Sequence, residues 1–154
     1  MRLLSSFVLL AALFAGCASQ PAACEACKNA QSVIDGVAKQ NPDCTRLTLH
    51  CSMEGGAKCC ASTAADRVGK ASDKEDVEAM SSGKTVVLDE AGAVDVTVPI
   101  RAMNGKFMSS CGVTLKGMPR DQAVAKAATI AKSVEDGLKG CGDCCCAGES
   151  CCSK

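Results

Sequence analysis

The chain has 154 residues, which is enough for one domain but not comfortably for two. Its 17 Lys and Arg residues balance 17 Asp and Glu residues, and this neutrality argues against a nucleic-acid partner or a basic membrane-surface domain. With 14 cysteines in so short a chain, the composition is typical of an exported, disulfide-rich protein.

Residues 1–16 have the pattern of an export signal. Arg2 is followed by an apolar run over residues 3–14, which is shorter than the roughly 20 residues that cross a bilayer. The string Leu13-Phe14-Ala15-Gly16-Cys17 then resembles the lipobox of bacterial lipoproteins. That resemblance implies cleavage before Cys17, a lipid (palmitate-type acylation) on this residue, and a periplasmic or cell-surface membrane anchor. Ala18 after the cysteine resembles lipoproteins that reach an outer membrane, where the cell has one. Ordinary secretion, with cleavage after Ala18, is the alternative.

Residues 17–23 are then the lipid attachment site and tether, and residues 24–140 form a small cysteine-containing domain. A helix is predicted over residues 24–39, since apolar residues recur on one side and Asn41-Pro42-Asp43 ends it. Residues 45–51 alternate apolar and polar side chains, which predicts a short strand with His50 and Cys51 on opposite faces.

Residues 52–83 are small and polar, and one helix is predicted there. Ser72-Asp73-Lys74-Glu75 has the form of a capping box for a helix that continues through Met80. The carboxylates of residues 73–78 suit the positive end of the helix dipole, so we expect them to form a solvated face.

Asn104-Gly105 predicts a two-residue hairpin, because both positions tolerate positive φ. Folding the chain there predicts the pairs Val94–Leu115, Val96–Val113, Val98–Cys111, Ile100–Ser109 and Ala102–Phe107, which share one mostly apolar face. Pro99 cannot donate to a ladder, so its strand is expected to be an edge or bulged there. Residues 84–88 predict a third strand.

Pro119 opens a predicted C-terminal helix, and Gly140 ends it. Its apolar stripe consists of Val124, Ala127, Ala131, Val134 and Leu138, spaced at three and four residues. The predicted fold class is therefore α+β: a small β-meander with a packed C-terminal helix, an N-terminal helix and a Cys-rich tail.

The domain cysteines are interpreted mainly as structural. Six of them are candidates for disulfides whose connectivity the sequence does not give: Cys24, Cys27, Cys44, Cys51, Cys59 and Cys60. Cys111 is expected to be a buried thiol. Cys24-Glu25-Ala26-Cys27 also allows thiol–disulfide exchange, a haem attachment or, with Cys44, Cys51 and His50, a zinc site.

Residues 141–154 form the Cys-rich tail, which has no bulky apolar side chain for a core. Its CxxC and CC elements resemble a metallothionein segment, and the candidate soft-metal ligands are Cys141, Cys144, Cys145, Cys146, Cys151 and Cys152. Zn or Cu(I) is the predicted cofactor, because crowded thiolates share soft cations more readily than they close six-cysteine knots. Disulfides or cross-links to a partner are the alternatives.

No nucleophile elbow, P-loop or dinucleotide fingerprint is present in the sequence, and His50 is its single histidine. The prediction is a non-catalytic, exported, lipid-anchored protein that binds soft metal through its tail. A disulfide-stapled structural or interaction lipoprotein without metal is the main alternative, and a redox protein is a minor one.

Overall fold

The structure is a computed structural model that describes residues 25–53, 55–101 and 107–139. Along the chain these residues form α1 (Glu25–Lys39), β1 (Cys44–Met53), β2 (Gly56–Ser62), a 3-10 turn (Ala65–Arg67), α2 (Lys74–Ser82), β3 (Val86–Glu90), β4 (Ala93–Arg101), β5 (Phe107–Lys116) and α3 (Arg120–Leu138). The predicted α+β class is confirmed, with both terminal helices and the meander in place.

The strands form one five-stranded antiparallel sheet in the order β2-β1-β5-β4-β3. The predicted register of the central hairpin is confirmed from Val94↔Leu115 to Ile100↔Ser109. It then shifts by one residue, so that Arg101 pairs with Phe107. Ala102 and the Asn104-Gly105 turn lie outside the described residues.

Pro99 occupies the position that its chemistry requires. The ladder between β3 and β4 reaches only as far as Val86↔Thr97, so β4 extends past its neighbour before Pro99. At this point β4 is locally an edge strand, and the missing N–H of proline removes no ladder bond to β3. The expectation of an edge at Pro99 is met.

One face of the sheet packs against α1 and α3 to form the apolar core. The alternate residues Leu47, Leu49 and Cys51 of β1 meet Cys111, Val113 and Leu115 of β5 on this face. The helices contribute small side chains, among them Ala30 and Ala127, which let them approach the sheet closely. Cys111 is buried in this core, as the sequence analysis predicted.

The other face is covered by α2, which corrects the sequence analysis in two places. Residues 56–62, interpreted as part of a polar connection, form β2 and pair with β1. The helix that follows begins one residue later than predicted: Asp73 is the N-cap and Asp76 the reciprocal capping residue, instead of Ser72 and Glu75. The shift matters because it turns Asp76 toward the sheet.

Candidate functional site

The layer between α2 and the sheet is rich in polar side chains, although α2 also buries Ala79 and Met80. Its buried polar members on β1, β4, β5 and α2 are Thr48, His50, Asp76, Asp95, Thr97, Ser110 and Thr114. A polar layer of this kind must satisfy its hydrogen bonds internally, because water does not reach it.

The segment that leads into α2 is held along the outer edge of β2. Cys59 N–H donates to the Lys70 carbonyl at 2.9 Å, and Ser72 N–H donates to the Ala57 carbonyl at 2.9 Å. These bonds fix Ser72 and the first turn of α2 above β1. They also cover an edge that would otherwise offer unpaired backbone groups to another chain.

His50 is the centre of the polar layer. The residue is 1% exposed, and its side chain projects from β1 with Nδ1 2.9 Å from Ser72 Oγ and 3.2 Å from Asp76 Oδ2. Asp76 Oδ2 also accepts the Asp73 backbone N–H at 3.0 Å. The carboxylate therefore closes the capping box of α2 and ties that helix to the sheet at the same time.

Burial sets the charge states of this pair. Loss of water, reinforced by the nearby Arg67 guanidinium, lowers the pKa of His50 to about 4. Burial also raises the pKa of Asp76 to about 6, against the lowering effect of its backbone hydrogen bond. At neutral pH the imidazole is therefore neutral beside a carboxylate, so their 3.2 Å contact is not a full ion pair.

This geometry does not support nucleophilic catalysis. A Ser–His–Asp relay needs the serine and the carboxylate on different nitrogens of the imidazole. One nitrogen then accepts the serine proton, while the N–H of the other nitrogen donates to the carboxylate. Here Ser72 and Asp76 both lie at Nδ1. Asp76 corrects the expectation of a solvated acidic face: it is 4% exposed and anchors α2.

Close packing around Gly112 completes the layer. A Cβ at this position would lie 2.5 Å from Thr48 Oγ1, so only glycine lets β5 approach the β1 side chain. Thr114 donates to Asp95 at 2.7 Å, which satisfies a second buried carboxylate. Within the described residues, the Ser110 hydroxyl is buried without a hydrogen-bond partner.

Five of the cysteines are placed within the domain as thiols: Cys44, Cys51, Cys59, Cys60 and Cys111. Burial raises the pKa of Cys44 and that of Cys59 to about 11, and it also raises the pKa of the fully buried Cys111. Since the thiolate is the nucleophile and the metal ligand, these three thiols are poor at both tasks at neutral pH.

The positions of these thiols narrow the possible disulfides. Cys44 and Cys51 lie seven residues apart on β1, roughly 23 Å along an extended strand, whereas a bridge needs Cα atoms within about 7 Å. Cys51 belongs to the helix-side core, while Cys59 is paired with His50 and faces the polar layer. The sheet therefore separates Cys51 from Cys59.

The other predicted site residues are not brought together by the described part of the chain. Cys17, Cys24 and the six tail cysteines lie outside it, and the side chain of Cys27 in α1 is not described. Within residues 25–53, 55–101 and 107–139, no three His, Cys, Asp or Glu side chains are grouped so that they could hold a metal ion. The zinc site predicted from Cys24, Cys27, Cys44, Cys51 and His50 does not gain support here, because His50 and Cys51 occupy opposite faces of the sheet.

The fold is similar to that of several solved structures. A type II free methionine-R-sulfoxide reductase from Thermoplasma acidophilum superposes with a TM-score of 0.52 at 15% identity, over 80% of this chain and 96% of that one. The GAF domain/HD domain protein from Geobacter sulfurreducens gives 0.56 at 8% identity, over 75% and 90% of the two chains. The GAF domain of an Acinetobacter phosphoenolpyruvate-protein phosphotransferase gives 0.53 at 14% identity, over 75% and 82%. At these identities the likeness establishes a shared fold and nothing about activity.

No protein-family model and no curated protein matches the sequence of this chain. None of the helices in the described part has the length and apolar character needed to span a bilayer.

Proposed function

We propose that this protein is an exported, lipid-anchored, non-catalytic carrier of soft metal ions, and that the cysteines of residues 141–154 bind the metal. The observation that carries the proposal is the division of the cysteines between the folded domain and the ends of the chain. The placed thiols are packed into the domain, and burial raises the pKa of three of them. The cysteines left for soft-metal chemistry are those near the ends of the chain.

The end of the domain supports the same assignment. The last helix, α3, ends at Leu138, which packs against the apolar core. The described residues thus form an apolar core among themselves, without the six tail thiols. Thiolates that share soft cations relieve the crowding of CC pairs, because one sulfur can serve two metal ions.

The non-catalytic part of the proposal rests on the polar layer. Its one imidazole is 1% exposed, and its Nδ1 is engaged by the neighbours that fix α2. A group placed in this way stabilises the fold but is not presented to a substrate. The expected partners are a membrane, through lipid at Cys17, and Zn or Cu(I), through the tail; a nucleic-acid partner is not expected.

The experiment is a metal and thiol inventory of the natively exported protein. We expect roughly two divalent ions, or a few Cu(I) ions, per chain, since six thiolates with bridging complete about that many shells. Deletion of residues 141–154 should abolish the bound metal but leave the circular dichroism of the domain unchanged. Because the ligands must be deprotonated, occupancy should fall as the pH is lowered toward about 4.

Oxidation competes with metal for the same sulfurs in an exported protein. Metal loading therefore has to precede oxidation, or the compartment has to be reducing. If the purified chain carries no metal and its tail cysteines react with alkylating reagents only after reduction, the disulfide-stapled module without metal is the correct interpretation.

The membrane anchor is tested separately. Cys17→Ser should release the protein from the membrane fraction or leave it unprocessed, while Cys60→Ser, a change outside the signal, should fractionate like the wild type. A processed Cys17→Ser protein that remains with the membranes would show that the anchor is elsewhere.

A further inference from the structure

The two edges of the sheet differ in how they are covered. At one edge, residues 69–72 hydrogen-bond along β2. At the other edge lies β3 (Val86–Glu90), which within the described residues pairs with β4 alone. Leu88 of this strand is a large apolar residue, and it is 41% exposed. A strand edge of this kind is a template on which another chain can add a strand.

The backbone groups of Val87 face the outer side of β3. The β3–β4 hairpin has a two-residue loop that is closed by the pair Glu90↔Ala93, and a pair in this position is hydrogen-bonded. Because hydrogen-bonded and non-bonded pairs alternate, the N–H and carbonyl of Val87 then point away from β4. A side-chain contact agrees with this orientation: the Arg120 guanidinium, at the start of α3, donates to the Val87 carbonyl at 3.3 Å.

Two copies of this edge are complementary in one antiparallel register. A two-fold axis through Val87 places Lys84 opposite Glu90 and Val86 opposite Leu88. Opposite charges and apolar side chains that face each other across a ladder are both stabilising. Moving the axis by one residue in either direction puts an apolar side chain opposite a charged one. The charge and hydropathy of the strand therefore select Val87 as the centre.

We propose that β3 is a self-association surface, on which a second copy of this chain adds its own β3 antiparallel about Val87. The Val87 N–H of each copy donates to the Val87 carbonyl of the other, and the two sheets become one. The contact between Lys84 and Glu90 occurs twice, because the interface is symmetric. A contact of one strand per copy is small, so the dimer forms reversibly. This inference goes beyond the proposed function and does not depend on metal.

Arg120 limits the strength of this association. Its guanidinium lies on the outer side of Val87, where the second copy would bind, and it forms an ion pair with Asp89. Both side chains are exposed, so the ion pair is easily broken. Arg120 therefore competes with the second copy for the Val87 carbonyl without closing the edge.

Sedimentation velocity over a concentration series tests the proposal. The sample is the unlipidated chain of residues 18–154, with a reductant and a chelator so that neither disulfides nor metal can link two copies. The wild type should pass from monomer to dimer as its concentration rises. Lys84→Glu should weaken the dimer about tenfold, because it makes both charge contacts repulsive. Lys84→Glu/Glu90→Lys should restore it, and the matched control Lys74→Glu, on exposed α2, should behave like the wild type.

Two further variants test the centre of the register. Val87→Pro should abolish the dimer but leave the fold intact, because the lost N–H faces outward and is not bonded to β4. Arg120→Ala should tighten the dimer, although it shortens a side chain at the interface, because it frees the Val87 carbonyl. Circular dichroism of each variant checks that the domain is folded.

The result that would overturn the proposal is a chain that stays monomeric throughout the series, in both the wild type and Arg120→Ala. A dimer that persists in folded Val87→Pro would place the contact elsewhere and would also overturn it. So would a failure of Glu90→Lys to rescue Lys84→Glu, or an Arg120→Ala dimer no tighter than that of the wild type.

Discussion

Replacing either member of the His50–Asp76 pair should change how the stability of the domain depends on pH, and the two replacements should act in opposite directions. The pKa of His50 is lowered from 6.5 to about 4, so between pH 6.5 and pH 4 the unfolded chain binds a proton that the folded chain does not bind. Acidification through this window therefore costs stability. The pKa of Asp76 is raised from 3.8 to about 6, so the folded chain binds the extra proton and acidification adds stability.

The magnitudes follow from these values. Between pH 7 and pH 4.5, His50 alone should lower the free energy of unfolding by about 2 kcal/mol, and Asp76 alone should raise it by about 2 kcal/mol. The two effects nearly cancel in the wild type. In Asp76→Asn the histidine effect is left uncompensated, so this variant should lose about 2 kcal/mol on acidification relative to the wild type. In His50→Gln the carboxylate effect remains, and this variant should gain about as much.

Urea unfolding at a series of pH values between 4.5 and 7 measures both slopes. The slope, rather than the absolute stability, is the readout, so a general loss of packing in either variant does not obscure the result. Asp136→Asn is the matched control: paired lysines lower the pKa of this exposed carboxyl below 3.8, so its titration lies outside the window. Profiles of Asp76→Asn and His50→Gln that run parallel to the wild type would refute the assigned protonation states.

Three further predictions follow from packing. Val96→Asp should lower the free energy of unfolding by several kcal/mol, because Val96 is 0% exposed in the helix-side core. The same change at the exposed Val68 should be nearly neutral. An unchanged melting temperature of Val96→Asp would contradict the register. Gly112→Ala should lower the free energy of unfolding by about 1–3 kcal/mol, because the added Cβ clashes with Thr48 Oγ1. Adding Thr48→Ala to this variant should recover part of the lost stability in thermal melts. If it does not, the clash is not the cause. In native alkylation followed by mass spectrometry, the 0% exposed Cys111 should react only after unfolding, and rapid labelling of the folded chain would show that the core is open.

Local sequence patterns were sufficient to predict the secondary structure and strand register of the helix-side half of the domain. The alternation of residues 94–100 with residues 109–115 has one register that buries the apolar side chains, because a slip by one residue would turn all of them to the opposite face. The stripe of α3 and the stop at Asn41-Pro42 are also local signals, and the elements lie where the sequence analysis predicted them. The lipid anchor and the metal-binding tail stay predictions, since Cys17 and residues 141–154 lie outside the described part of the chain.

The structure of the polar half of the domain depends on tertiary contacts that local sequence patterns do not show. Residues 56–62 have no strong strand pattern and form β2 because β1 offers an edge on one side and residues 69–72 hydrogen-bond on the other. Asp76 looks like one of several solvated carboxylates near a helix start, and only the docking of α2 over His50 makes it a buried partner of the imidazole. A contact of this kind between distant segments depends on how whole elements pack and not on the residues beside Asp76 in the sequence.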